Sequence, residues 1–326
     1  MNPVLPPRVS ALLCCVLLLG LLAVNGQAQV GSALIAAPWQ PEKSFSATNY
    51  FIGFESESDG AGFDTDLARG VSFGRFRLDN QDPRAVTFGW LYDHTAIDSS
   101  DPLLPERLVS VAFAAGMGLG EIGDGWELSF SAGGGTASDE PFADEEGWYG
   151  VGSLVATKRL DQRSALTLIL DYDGSRAIFP DIPLPGIQYT VFESPSLRYS
   201  FGLPFSTLYY QPDDRWTFDV TYIIPIGGNA EASFKIDDQW SAYCSYTGTT
   251  RGYHLDGERD NERFFFQQSR LETGLRFTPA PGWRWTFAGG WAFDQEFTRG
   301  FDTRDDDDVR ELDDAAFLRV GLRLDF

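Results

Sequence analysis

Cysteine, histidine and basic side chains are scarce in this chain. Of 326 residues, three are cysteine and two histidine, and 25 lysines and arginines stand against 47 acidic residues. A polyanion such as nucleic acid needs a basic face, so that class of partner is excluded. Few cysteines also exclude a disulfide-stapled scaffold: Cys14 and Cys15 fall in an export-signal-like start, which leaves Cys244 with no partner. A lone thiol of this kind is expected to be buried. Long apolar runs are missing too. The one that exists, Ala11 to Val24, falls short of the roughly 20 residues a bilayer core demands.

That run follows Arg8 and precedes Gly26-Gln27-Ala28, the order of a cleaved secretory signal, and predicts a mature start near Gln29. Leu12 and Leu13 precede Cys14 and Cys15 where a lipid-modified cysteine would need small residues. Cleavage removes one arginine and no acid, leaving 24 basic groups against 47 acidic ones, a net charge of −23. Residues 29–44, with Pro38 and Pro41, read as a short extended periplasmic lead, and residues 45–326 as one domain.

What the chain has in abundance is alternation. Val86, Phe88, Trp90 and Tyr92 share one face, and Thr87, Gly89 and Asp93 the other. Trp216, Phe218, Val220, Tyr222 and Ile224 oppose Thr217, Asp219 and Thr221. Trp283, Trp285, Phe287, Trp291 and Phe293 oppose Arg284, Thr286, Ala288 and Asp294. Leu318, Val320, Leu322, Leu324 and Phe326 oppose Arg319, Gly321, Arg323 and Asp325. A period of two means strands. Soluble sandwiches alternate as well. Here the apolar faces are aromatic, with Trp and Tyr near strand ends, as membrane interfaces favour. Segments such as Phe264–Phe277 and Gly282–Gln295 exceed the soluble strand of about 5–6 residues and reach the roughly 9–11 needed to cross a bilayer tilted. Without a spanning helix, only a closed barrel satisfies the backbone in lipid.

Connections alternate between long and tight. The long ones are Ser56–Asp66, Ala96–Glu106, Thr136–Glu146, Gly174–Pro185, Pro225–Asn229, Arg251–Glu262 and Thr298–Arg310; the tight ones include Asp161–Gln162, Gln211–Asp214 and Asp237–Gln239. Long loops outside and short turns in the periplasm are the habit of outer-membrane barrels. The parity closes if a tight outer turn lies near Leu203–Pro204. That gives an all-β, transmembrane, antiparallel up-and-down barrel of 16 strands; with Ile187–Gln211 as one strand the count is 14, within a range of 12–16. Phe326, preceded by Leu324 and Leu322 at every second position, resembles the terminal mark read by the barrel-assembly machinery.

The stretch from Leu184 to Pro225, with its Pro-Gly strand entry, Gly-Leu-Pro step and Gln-Pro-Asp-Asp-Arg-Trp turn, resembles an uncharacterised family of bacterial outer-membrane β-barrels grouped as a domain of unknown function. The likeness covers roughly residues 45–326. It implies a barrel in the outer membrane of a Gram-negative-type bacterium, with no catalytic residue to carry over.

Chemistry is sparse. His94 continues the face of Trp90 and Tyr92, with Ser99 and Ser100 in the next loop; a lipid-acting Ser–His dyad is one reading and a satisfied interfacial histidine the other. No enzyme activity and no cofactor are expected. Asp305, Asp306, Asp307 and Asp308 form the densest acidic run; carboxylates around one point suit a divalent cation, while a solvated loop needs none. The glycine-rich stretches lack the lysine and helix of a phosphate loop. Alternation places Arg270, Glu272, Arg276, Arg284, Arg319 and Arg323 on the inner face late in the chain, with Asp219, Glu231 and Lys235 earlier. The expectation is a basic cluster on one wall facing carboxylates on another, a field that sets charge selectivity. A passive pore for small solutes with acidic outer loops follows. The alternatives are a closed barrel engaging lipopolysaccharide or a partner, and a lipid-acting enzyme.

Overall fold

The computed structural model describes residue 34 and residues 43–326, apart from 56, 59–61, 83, 144, 181, 224–226, 257–261 and 306. Every β-residue joins one sheet. Its first stretches are β1 (Phe45–Phe54), β2 (Glu57–Ser58), β3 (Asp64–Arg77), β4 (Thr87–Ser99), β5 (Arg107–Ile122) and β6 (Trp126–Ser138). Then come β7 (Trp148–Arg159), β8 (Ser164–Asp173), β9 (Leu184–Ser194), β10 (Leu197–Leu203), β11 (Phe205–Tyr210) and β12 (Trp216–Ile223). The last are β13 (Gly227–Lys235), β14 (Trp240–Tyr253), β15 (Arg263–Ala280), β16 (Trp283–Gly300), β17 (Asp307–Leu312) and β18 (Ala315–Asp325). β2 prolongs β1 and β17 leads into β18, so these stretches make 16 staves.

Each stave pairs antiparallel with its chain neighbours. The sheet closes where β1 meets β18, with Ser46 opposite Asp325 and Phe54 opposite Phe317. Closure leaves no edge with unpaired backbone groups. The expected count of 16 holds because Pro204 alone joins β10 to β11 as the tight turn that parity required. No described helix is long and apolar enough to cross a membrane.

The period of two divides the sheet into two faces. The outer one is greasy: Leu318 is 73 % exposed, Phe201 65 % and Phe113 62 %. Water does not reward such a continuous apolar belt, whereas hydrocarbon does. Eight tryptophans are described, and alternation sets all of them on this outer face: Trp90, Trp126, Trp148, Trp216, Trp240, Trp283, Trp285 and Trp291. Several pair with other rings in a girdle at the turn end: Trp240 stacks on Phe277 at 4.6 Å, Trp216 meets Phe234 tilted at 4.9 Å and Trp283 meets Phe326 edge-on at 6.1 Å. An amphipathic ring belongs at a headgroup boundary. Cys244, expected buried, is exposed on this same face, between inward Tyr243 and Ser245. A thiol is apolar enough to join the belt, and alternation overrode the habit of free cysteines.

Turns are fixed by aspartates. Asp213 accepts the backbone N–H groups of Arg215 and Trp216 at 2.8 and 2.9 Å, and Asp237 those of Gln239 and Trp240 at 2.8 and 2.7 Å. The repeated Asp-Asp-x-Trp thus turns the chain and delivers a girdle tryptophan. Gly282 between β15 and β16 has φ of +83°, and a Cβ there would lie 2.5 Å from the Asp325 carbonyl oxygen. Only glycine fits both conditions. Phe326 closes the seam with paired backbone hydrogen bonds to Phe45, at 2.7 and 2.8 Å. Leu322 and Leu324 face outward beside it.

Candidate functional site in the barrel lumen

The inner face carries charge in buried, paired form. Arg69 on β3 lays a two-point grip on Asp93 of β4, its Nε and Nη2 donating at 3.0 and 2.7 Å. Asp93 is fully buried and also takes an ion pair from Arg251. Arg251 stands on β14, far around the barrel, so that pair crosses the lumen. Arg319 reaches Glu272 at 3.4 Å and lies 5.0 Å from the ring of Tyr50. Tyr243 donates its hydroxyl to Glu272. Arg276 binds Glu231 through Nη1 and Nη2, at 2.6 and 2.5 Å, and stacks 4.0 Å over Tyr243.

This arrangement corrects the expectation of opposed walls. Glu231, Glu272 and Asp219 do not face the arginines across the hollow; they interleave with them on neighbouring or nearby staves. Adjacent strands lie about 4.8 Å apart, so a lateral partner is nearer than one across the lumen. Lys235 also departs from expectation. It keeps the inward parity but sits at the turn rim, half-exposed and paired with Asp238 at 2.6 Å. Arg284 and Arg323 face inward near the turn end and are exposed, as is Asp219. Asp294, set on the inner face by strict alternation, falls at a bulge with φ of +49°, where it is exposed and Gln295 turns in to bond Gln268.

Reasoning from the sequence missed the residues that cross or seal the lumen: Tyr50, Arg69, Tyr243 and Arg251. Asp93 was placed on the inner face without a role. Asp93, Tyr243 and Arg251 lie on the polar side of alternating segments, so their direction was legible, whereas Arg69 shares its face with Leu67 and Val71. Which partner each would meet was not, least of all for Arg251, whose Asp93 lies six staves away.

The loop end is shut. The tip of β14 leans over the opening to β6, which lies diametrically opposite with seven staves on either side. There His254 donates its N–H to the Ala137 carbonyl at 2.9 Å, a bridge joins it to Ser138, and Asp256 N–H bonds Asp139 at 3.1 Å. Beneath this strap packs an apolar cluster: Leu67, Ile97, Leu108, Tyr253, Phe264, Phe266, Phe297 and Leu312. Leu108, Phe264 and Phe297 are wholly buried, and each such side chain contributes about 1.5–3 kcal/mol. The connections at 174–180 and 301–305 lock over the same end. Thr303 N–H bonds the Ala177 carbonyl at 3.0 Å, and Arg263 Nη2 the Arg176 carbonyl at 2.9 Å. Asp302 anchors this lock. Burial pushes its carboxyl up, but the Arg304 guanidinium and the N–H groups of Arg304 and Phe179 outweigh that and hold it below the usual carboxylate range.

Leu34, in the stretch read as an extended lead, is buried on the inner face against Ala114 and Val151. His94 faces outward beside Tyr92, rings 6.4 Å apart, whereas Ser99 bonds inward Thr65 at 2.8 Å. The two lie on opposite faces of β4, so no dyad forms between them. Ser100 sits just beyond β4. Among the described residues no cluster of three or more potential metal ligands occurs. Asp305 and Asp307 are exposed; Asp306 and the side chain of Asp308 lie outside what is described.

No family model matches the chain, and no curated protein does. The resemblance to a family of unknown function therefore narrows to an outer-membrane-type barrel. Among solved structures, the chain is similar to an outer-membrane channel from Pseudomonas putida F1, at 11 % identity over 92 % of this chain and 100 % of that one, TM-score 0.38. It is similar to the Pseudomonas putida toluene transporter TodX, at 12 % over 93 % and 95 %, TM-score 0.42. A Pseudomonas aeruginosa FadL homologue gives 11 % over 93 % and 98 %, TM-score 0.38. At such scores the function has to be read from the lumen itself.

Proposed function

We propose that this chain is an outer-membrane channel that passes small solutes passively and whose outer mouth is held shut by the tip of β14 and the residues that follow it, His254 to Asp256. The observation that carries it is the contrast between the two halves of the lumen. On the turn side, inward charges such as Asp219, Arg284 and Arg323 are exposed, which makes a wet vestibule. On the loop side, inward groups are buried and the strap seals them. A barrel built only to fill itself has no use for a solvated half with charged walls.

In this reading the greasy belt sits in the outer membrane of a Gram-negative-type bacterium, with the turn end in the periplasm. The acidic loops meet the lipopolysaccharide layer, and Phe326, Leu324 and Leu322 present the assembly mark. Arg251 is the removable tie of the gate, because Asp93 keeps Arg69 when Arg251 is lost. One charge-assisted hydrogen bond contributes about 1.5–3 kcal/mol, so Arg251→Ala is expected to raise open probability about tenfold or more. Single-channel recording in planar bilayers reads this directly. Silence from both proteins at every voltage overturns the channel and leaves a closed structural barrel.

A further inference from the structure

Among the described residues the mid-lumen holds more positive charge than its acids balance. Among the described residues, four guanidinium groups, those of Arg69, Arg251, Arg270 and Arg319, share this level with two carboxylates, Asp93 and Glu272. They come from β3, β14, β15 and β18 and surround the hydroxyl of Tyr50 on β1, within electrostatic reach of every one of them. The two acids are already committed. Asp93 serves Arg69 and Arg251, and Glu272 serves Arg319 and Tyr243.

Arg270 is the unserved member. It is only 6 % exposed, and its Nη1 is buried with no acceptor among the described residues. Its one described ring contact is Phe317, at 6.0 Å from the guanidinium carbon. The Nε of Arg251 is likewise buried without an acceptor. An orphaned donor on a buried cation is costly unless something anionic completes it. Planar guanidinium forks match the paired oxygens of a carboxylate or phosphate better than a bare halide.

We infer that the lumen at Tyr50 is a binding site for a small oxyanion, a carboxylate or a phosphate, held by Arg270 and Arg251 with Arg69 and Arg319 behind them. As a binding site it stands whether or not the barrel conducts. As the selectivity element of a channel it rests on the function proposed above. The site lies just under the sealed outer mouth, where a solute from the wet vestibule would pause.

The test uses the full-length mature protein in detergent micelles, its folding checked by heat-modifiable migration in gels, titrated with inorganic phosphate by calorimetry. Binding is expected for the wild type and for Arg215→Gln, which lies in an exposed turn. Arg270→Gln is expected to weaken it about tenfold or more, the loss of one charge-assisted hydrogen bond. Should that variant misfold, Arg251→Gln gives the same reading, since Asp93 retains Arg69. A folded wild type that takes up no phosphate, or an affinity unmoved by either substitution, overturns the site. Reversal potentials in a potassium chloride gradient separate the two claims. Conductance with cation preference sinks the site as the channel's selectivity element and spares the channel; phosphate binding without any conductance sinks the channel and spares the binding site.

Discussion

Asp93 shows how much one inward carboxylate does in this lumen. It is fully buried, and two arginines converge on it, Arg69 from the neighbouring stave and Arg251 from far around the barrel. Desolvating an ion costs several kcal/mol, recovered only with its partners in place. Asp93→Asn would leave Arg69 and Arg251 buried without their counterion. We expect about 3–5 kcal/mol of lost stability, read as a lower urea midpoint in a folding titration into lipid vesicles. Arg251→Ala should cost much less, because the remaining pair is intact. Equal losses for the two would contradict this division of roles. Alternation alone marked Asp93 as inward; it took the closed barrel to show that its partners come from both β3 and β14.

At the scale of elements, the turns were the most legible part of the chain and the strap the least. Asp213 and Asp237 announce their turns because the residue types and spacing that make the hydrogen bonds are local. Backbone N–H groups of Trp216 and Arg215 hold the Asp213 carboxyl below the usual aspartate range. A depressed folded value means its contribution is present above the unfolded pKa and fades as pH falls through the folded one. The acid-limb stability loss of the wild type should therefore be shallower in Asp213→Ala, at a lower neutral-pH baseline. Identical acid profiles in vesicle folding titrations would rule the turn out as a source. The β14 tip, by contrast, bonds to β6 across the whole molecule. Nothing in the 251–262 segment signals that, and reading it as an outer loop missed that Arg251–Tyr253 prolong β14 inward over the mouth.

For the molecule as a whole, the strand count, the parity of the connections and the two faces were all readable in advance, because each rests on a period of two and on turn chemistry. How the charges pair was not, since pairing depends on which staves become neighbours and on how far a long side chain reaches inward. The premise beneath every functional statement is that the aromatic face meets hydrocarbon. All eight described tryptophans lie on it, which makes the premise measurable. The direct measurement is tryptophan fluorescence of the protein refolded into vesicles, with bromine placed at different depths along the lipid chains. Strong quenching, deepest for labels near the headgroup where the turn-end girdle sits, is the predicted result. Emission indifferent to brominated lipid but quenched by aqueous iodide would contradict it.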